Sequence, residues 1–166
     1  LGAGKFGSMF LSQVPSTLGI EVLVIADLKP DNAVKACKNV GWSDDLINKT
    51  KFVDRGTDAI KLNEVEVVIE ATGFPAAGIE HARQAFQNGK HIIMVNVEAD
   101  VLAGAALVKE ANSAGVVYSM AYGDQPALTA EIVEWARASG FNVTSAGKGT
   151  RYQPVYHKSS PDTAVS

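Results

Sequence analysis

Leu1-Gly2-Ala3-Gly4-Lys5-Phe6-Gly7, with Asp27 closing the apolar run Ile20-Glu21-Val22-Leu23-Val24-Ile25-Ala26, is the part of the chain on which its architecture depends. The spacing is G-x-G-x-x-G, and each glycine has its own reason: the first permits a tight turn, the second lets backbone approach a pyrophosphate, and the third lets helix and strand pack closely. A helix opening at Lys5 directs its free N–H groups toward the phosphates. Asp27 follows Gly7 by 20 positions, where a carboxylate accepts hydrogen bonds from an adenine-ribose diol. A glycine turn alone also suits adenosyl-methionine or a plain connection. Turn, helix and acidic residue at this spacing together predict dinucleotide binding.

Outward from this unit, helix and strand patterns alternate. Residues 5–18 and 31–39 carry helical spacing, and residues 20–26, 51–54 and 66–71 read as strands. Residues 76–88, 100–114 and 127–139 read as helices closed by Gly89, Gly115 and Gly140, and residues 91–97, 116–121 and 141–146 as strands. Near-continuously apolar strands separated by helices imply a parallel sheet covered on both faces. The expected fold is therefore a doubly wound, mostly parallel α/β sheet of Rossmann type. Leu1 leads straight into the turn, so the first strand is expected to precede it and to be missing from the fragment. The expected division is a dinucleotide-binding domain over residues 1–146 and, over residues 147–166, the start of a truncated substrate or C-terminal region.

Composition narrows the function classes. A formal net charge of −3, from 15 basic and 18 acidic residues, offers no footprint for nucleic acid or an anionic membrane surface. No apolar run reaches membrane-spanning length, and a single cysteine, Cys37, cannot form an internal disulfide, which predicts a cytoplasmic protein. No cluster has metal-ligand spacing. The expected partners are a small-molecule substrate and, in the full-length protein, further copies of the same chain.

Candidate site residues gather where strands end. Besides Gly2, Gly4, Lys5, Phe6, Gly7 and Asp27, the cofactor-binding candidates are Ala71-Thr72-Gly73, whose small side chains leave room for the nicotinamide ribose, and Asn96 and Glu98 after the strand from His91. The 71–73 stretch reads equally well as an ordinary turn. Asp27 repels a 2′-phosphate and so favours NAD, while Lys29, two residues on, could pair with that phosphate and favour NADP. Tyr122 and Gln125 are substrate-binding candidates in the loop after residue 121. Lys148 and Asp124 are the catalytic candidates, Lys148 because carbonyl reduction needs a donor for the developing alkoxide. Asp124 reads equally as a helix N-cap before Pro126, and Lys148 as a surface lysine. His81, His91 and His157 read as scaffold or loop positions.

The glycine turn, Ala71-Thr72-Gly73, the stretch Val95-Asn96-Val97-Glu98-Ala99-Asp100, Tyr122-Gly123-Asp124-Gln125-Pro126 and Gly147-Lys148-Gly149-Thr150 together resemble the homoserine-dehydrogenase-type NAD(P)-binding oxidoreductase family. Within it the chain is most similar to the subgroup with a C-terminal SAF-type domain, the deoxyxylulose-phosphate-reductoisomerase-like proteins. Homoserine dehydrogenases carry an Asn-Lys pair after the corresponding strand, whereas Asn96 is followed here by Val97, which counts against homoserine as substrate. The resemblance implies NAD or NADP as cofactor and hydride transfer with a small polar carbonyl or alcohol. Its subgroup form implies NADPH-dependent isomeroreduction of a sugar phosphate, with Lys148 and the 122–125 loop lining the site. A non-catalytic module that senses NAD(H) and a methyltransferase are the alternatives from other classes.

Overall fold

The computed structural model describes residues 1–121 and 127–147. The chain divides into two units, Leu1–Ala121 and Tyr122–Ser166. In the first, helix α1 (Lys5–Gln13) gives way to a single 3-10 turn over Val14–Ser16. The apolar pattern predicts helix to residue 18, but Pro15 supplies no N–H and stops it. Strand β1 (Val24–Ala26), helix α2 (Pro30–Asn39), strand β2 (Lys51–Val53), strand β3 (Val67–Glu70), helix α5 (Pro75–Gln87), strand β4 (His91–Met94), helix α6 (Val97–Ala114) and strand β5 (Tyr118–Met120) follow the expected alternation. The strands are shorter than their apolar runs.

Two short helices, α3 (Asp44–Lys49) and α4 (Gly56–Ile60), were not anticipated, being too brief for a periodic signal. The start of α3 is nevertheless locally encoded: the Ser43 hydroxyl accepts from Leu46 N at 3.2 Å, and Asp44 and Asp45 occupy the first turn.

All observed pairings are parallel: β1 with β2, and β3–β4–β5 in order. The Leu1-Gly2 segment joins the two groups. The Leu1 N–H donates to Ile69 O at 2.6 Å and its C=O accepts from Ala71 N at 2.9 Å, while Gly2 N donates to Ala26 O at 2.8 Å. The order is thus β2–β1–Leu1–β3–β4–β5, with β1 and β3 about 10 Å apart, two strand spacings. In a parallel ladder alternate residues bond to alternate sides. Leu23 and Asp27 bond to β2, and Glu66 and Glu70 to β4, so Val24 and Val67 turn their backbone groups toward the slot upstream of Leu1. A cleft of about 620 Å³ lies there, lined by Val24, Ile25, Val67 and Ile69 among others.

Two cores hold the unit. Leu11, Ile25, Ala33, Cys37, Trp42 and Ile47 pack on the β1–β2 side, where the Trp42 indole donates to Leu11 O at 2.7 Å. Ile60, Val68, Phe86, Ile92, Met94 and Leu107 pack on the other side, with the Phe86 and Tyr118 rings edge to face at 6.2 Å. Helices α5 and α6 approach closely because Gly78 has no side chain: a Cβ there would meet Ala99 Cβ at 2.7 Å. Leu107 is wholly buried, and Leu107→Ala is expected to cost about 2–5 kcal/mol. Urea unfolding checks this as a lower midpoint at unchanged slope.

In the second unit, α7 (Ala127–Ala138) ends as predicted at Gly140, whose φ of +87° suits glycine, with Phe141 N donating to Ala136 O at 3.0 Å. Residues 141–147 are not the expected strand and have no regular structure. Their apolar alternation is not enough, since a strand also needs a neighbour for its backbone groups.

Candidate cofactor site

The glycine turn leaves Leu1 at the point where strand order reverses, with β1 and β2 to one side and β3, β4 and β5 to the other. In open α/β sheets this is where a crevice forms outside the carboxyl ends of the strands. The three glycines differ in their surroundings. Gly2 has φ +82°, and a Cβ on it would stand 2.8 Å from Ala71 O. A Cβ on Gly7 would collide with Gly2 O, so the helix seats directly on the turn. A Cβ on Gly4 would meet nothing within 4 Å. That open space is what a pyrophosphate requires. Gly4 also caps α1 without a side-chain hydrogen bond, and no acidic residue stands in the first turn, so the N-terminal N–H groups are left for an anion. Lys5 and Phe6 are exposed beside them.

Asp27 lies just past β1, half-buried, and its carboxylate is pinned at both oxygens. Ala3 N donates to Oδ2 and Lys29 N to Oδ1, each at 3.0 Å. The turn and the acidic residue that the spacing linked are thus in direct contact. Each carboxylate oxygen keeps a further lone pair for a ligand hydroxyl.

Residues 71–74 form the opposite wall. Thr72, Gly73 and Phe74 are exposed, and Gly73 has φ +70°. Beneath them Glu70, the last residue of β3, is fully buried. Its Oε1 accepts from the Thr72 hydroxyl and from Thr72 N at 3.3 Å, and lies 3.2 Å from His81 Nδ1 on α5. Its Oε2 is buried without a hydrogen-bond partner among the described residues. Burial alone would raise this carboxyl. Hydrogen bonds from His81 and Thr72, the attraction of His81 and the nearby Asn96 amide outweigh it and hold Glu70 below the usual carboxylate range. Gly56, opening α4, makes room for this pair, because a Cβ there would strike the His81 ring.

Asn96 and Glu98 need correction as strand-end residues. Strand β4 stops at Met94, and Asn96 is the buried N-cap of α6, its Oδ1 accepting from Ala99 N at 3.1 Å. Its Nδ2 donates to Phe74 O at 3.0 Å. The Asn96 side chain is therefore spent on holding the 71–74 wall, and Glu98 is an exposed residue of the first helical turn. The apolar run misled because Val95 and Val97 continue it, whereas an Asn three residues before a helical N–H caps a helix regardless.

Tyr122, Asp124, Gln125 and Lys148 lie outside the described residues. Burial pushes the Cys37 thiol up to about 11, which leaves it protonated and inert at neutral pH. Among the described residues no group of His, Cys, Asp and Glu could hold a metal ion, and no helix is long and apolar enough to cross a membrane. Sequence reasoning passed over Glu70 and took His81 for scaffold. The one available signal was a charge ending the apolar run Val67-Val68-Ile69.

Residues 2–121 match the family described as homoserine dehydrogenase, NAD binding domain, and residues 123–166 match one described as oxidoreductase DRL, catalytic domain. Among curated proteins no relative matches. Among solved structures, the Bacillus subtilis protein yvaA, assigned as an oxidoreductase, is 19% identical with a TM-score of 0.63, over 84% of this chain and 38% of its own. A Thermotoga maritima protein assigned as a dehydrogenase is 12% identical with a TM-score of 0.62, over 82% of this chain and 39% of its own. Homoserine dehydrogenase of S. aureus is 16% identical with a TM-score of 0.53, over 87% of this chain and 42% of its own. At such identities the likeness is one of fold, and the chain spans about two fifths of the length of these structures. With the fingerprint turn, the reversal of strand order and a match over residues 2–121, the chain belongs to the homoserine-dehydrogenase-type NAD-binding domain family, whose cofactor is NAD or NADP.

Proposed function

We propose that this domain holds its cofactor across the carboxyl edge of the sheet for hydride exchange with a small polar carbonyl or alcohol, and that it prefers NAD to NADP. The observation that carries the reading is the unobstructed Gly4 at the head of α1 with Asp27 pinned to Ala3 beside it. Backbone N–H groups of the turn and of α1 hold the pyrophosphate. Asp27, fixed in orientation by Ala3 N and Lys29 N, accepts from the adenine-ribose diol and repels a 2′-phosphate. Residues 71–74 border the nicotinamide half. The bound cofactor supplies the hydride. Lys148 donates to the oxygen on which charge develops, Asp124 assists the proton transfer, and Tyr122 and Gln125 bind substrate. The match of residues 123–166 to an oxidoreductase catalytic domain supports putting these roles beyond residue 121.

A fluorescence titration of the full-length protein with NADH and NADPH, on wild type and Asp27→Ala, tests the reading. The expected result is tighter binding of NADH and at least tenfold erosion of that preference in the variant, about 1.4 kcal/mol. Tighter binding of NADPH would reverse the preference and assign Lys29 to the 2′-phosphate. Binding of neither would refute the reading.

A further inference from the structure

Glu70 is a wholly buried carboxylate one residue from the wall of the candidate site, yet it is screened from any ligand by the residues it binds. Three separate segments converge on this wall. Thr72 follows Glu70 along the chain and gives its carboxylate both hydroxyl and N–H. His81 reaches in from α5, where it is itself mostly buried, with 12% of its side chain exposed. Asn96, from the cap of α6, holds Phe74 O at 3.0 Å and stands 3.5 Å from the Thr72 hydroxyl. The arrangement fixes an otherwise exposed loop from below. Gly2 is packed against the start of that loop, since a Cβ on it would lie within 3.0 Å of Thr72 Cα.

We propose that Glu70, braced by His81, is a positioning residue that sets residues 72–74 in the geometry that receives the nicotinamide half of the cofactor. The inference rests on the proposed cofactor orientation. Its chemistry is directional. An ionised carboxylate accepts only, so it forces the Thr72 hydroxyl to donate downward and leaves that oxygen's lone pairs to face Asn96. A glutamine in its place carries an amide that donates as well, and the chain of donors loses its single sense. Charge-assisted hydrogen bonds of this kind are about twice as strong as neutral ones. The adenine half, held by the glycine turn and Asp27, does not depend on the network.

The test compares two ligands on the full-length protein: NADH, and ADP, which lacks the nicotinamide together with its ribose. Both are titrated calorimetrically against wild type, Glu70→Gln, Thr72→Val and Thr72→Ser. The expected result is that Glu70→Gln and Thr72→Val each weaken NADH about tenfold or more while leaving ADP within about twofold, and that Thr72→Ser, which keeps the hydroxyl, stays near wild type. Parallel weakening of both ligands would mean that Glu70 merely supports the fold and would overturn the proposal, as would unchanged NADH affinity in Glu70→Gln. If wild type binds ADP but gains nothing from the nicotinamide half, the positioning role fails while the adenine site stands. Binding of neither ligand by wild type removes the cofactor reading itself, and the proposal with it.

Discussion

In thermal unfolding run beside an NADH titration, Gly7→Ala is expected to lose about 2–3 kcal/mol of stability together with cofactor binding, whereas Gly4→Ala is expected to lose cofactor affinity with stability changed by less than about 1 kcal/mol. The contrast comes from what each new methyl would meet. At Gly7 it collides with the carbonyl oxygen of Gly2, a backbone atom that cannot swing aside. Relief requires moving α1 off the turn, and with it Ala3, whose N–H holds Asp27. At Gly4 the methyl points into open space, and the φ of −69° is one alanine adopts freely. Only a ligand brought close to that backbone would feel it. Equal stability losses in the two variants would show that the turn is a structural connection, and unchanged NADH affinity in Gly4→Ala would remove the pyrophosphate from above it.

The second large effect concerns the buried pair. His81→Leu is expected to destabilise the domain by about 3 kcal/mol at neutral pH and to reverse the sign of its pH dependence in the acid range. In the wild type Glu70 titrates below its ordinary value, so the unfolded chain takes up its proton first on acidification. Its contribution is fully present above the unfolded value, about 4.3, and is lost as pH falls through the lower folded value. Without His81 the largest influence on Glu70, burial, is opposed only by Thr72 and Asn96. Its folded value then rises above the unfolded one, and stability increases as pH falls toward it. His81→Gln, whose amide can still donate to Oε1, is expected to keep most of the wild-type behaviour. Chemical denaturation midpoints between about pH 3.5 and 7 give the comparison. A His81→Leu curve that stays parallel to wild type would show that His81 does not govern the Glu70 proton.

Much of this arrangement was legible residue by residue. The fingerprint glycines, Asp27 and the caps at Gly89, Gly115 and Gly140 follow from backbone sterics and short-range hydrogen bonding, and each was found where the structure has it. Alternating apolar strands and helices sufficed for a parallel α/β class, because burying a strand on both faces leaves a periodic trace in the chain itself. Other features had no such trace. Helix α4 is five residues long, β4 ends before its apolar run does, and residues 141–147 lack a strand partner among the described residues.

The sequence by itself therefore determined the fold class, the glycine turn and the place of Asp27 beside it, since these depend on local conformation and on spacing along one β-α-β unit. Only the tertiary structure decided that Leu1-Gly2 bridges β3 and β1 at the reversal of strand order, that Asn96 caps α6 and holds Phe74, and that Glu70 and His81 form one buried pair. These contacts join residues whose proximity is set by the packing of separate elements. Burial turns a charge from a solvated side chain into a group that must find partners, and no pattern in the chain states which side chains will be there to meet it.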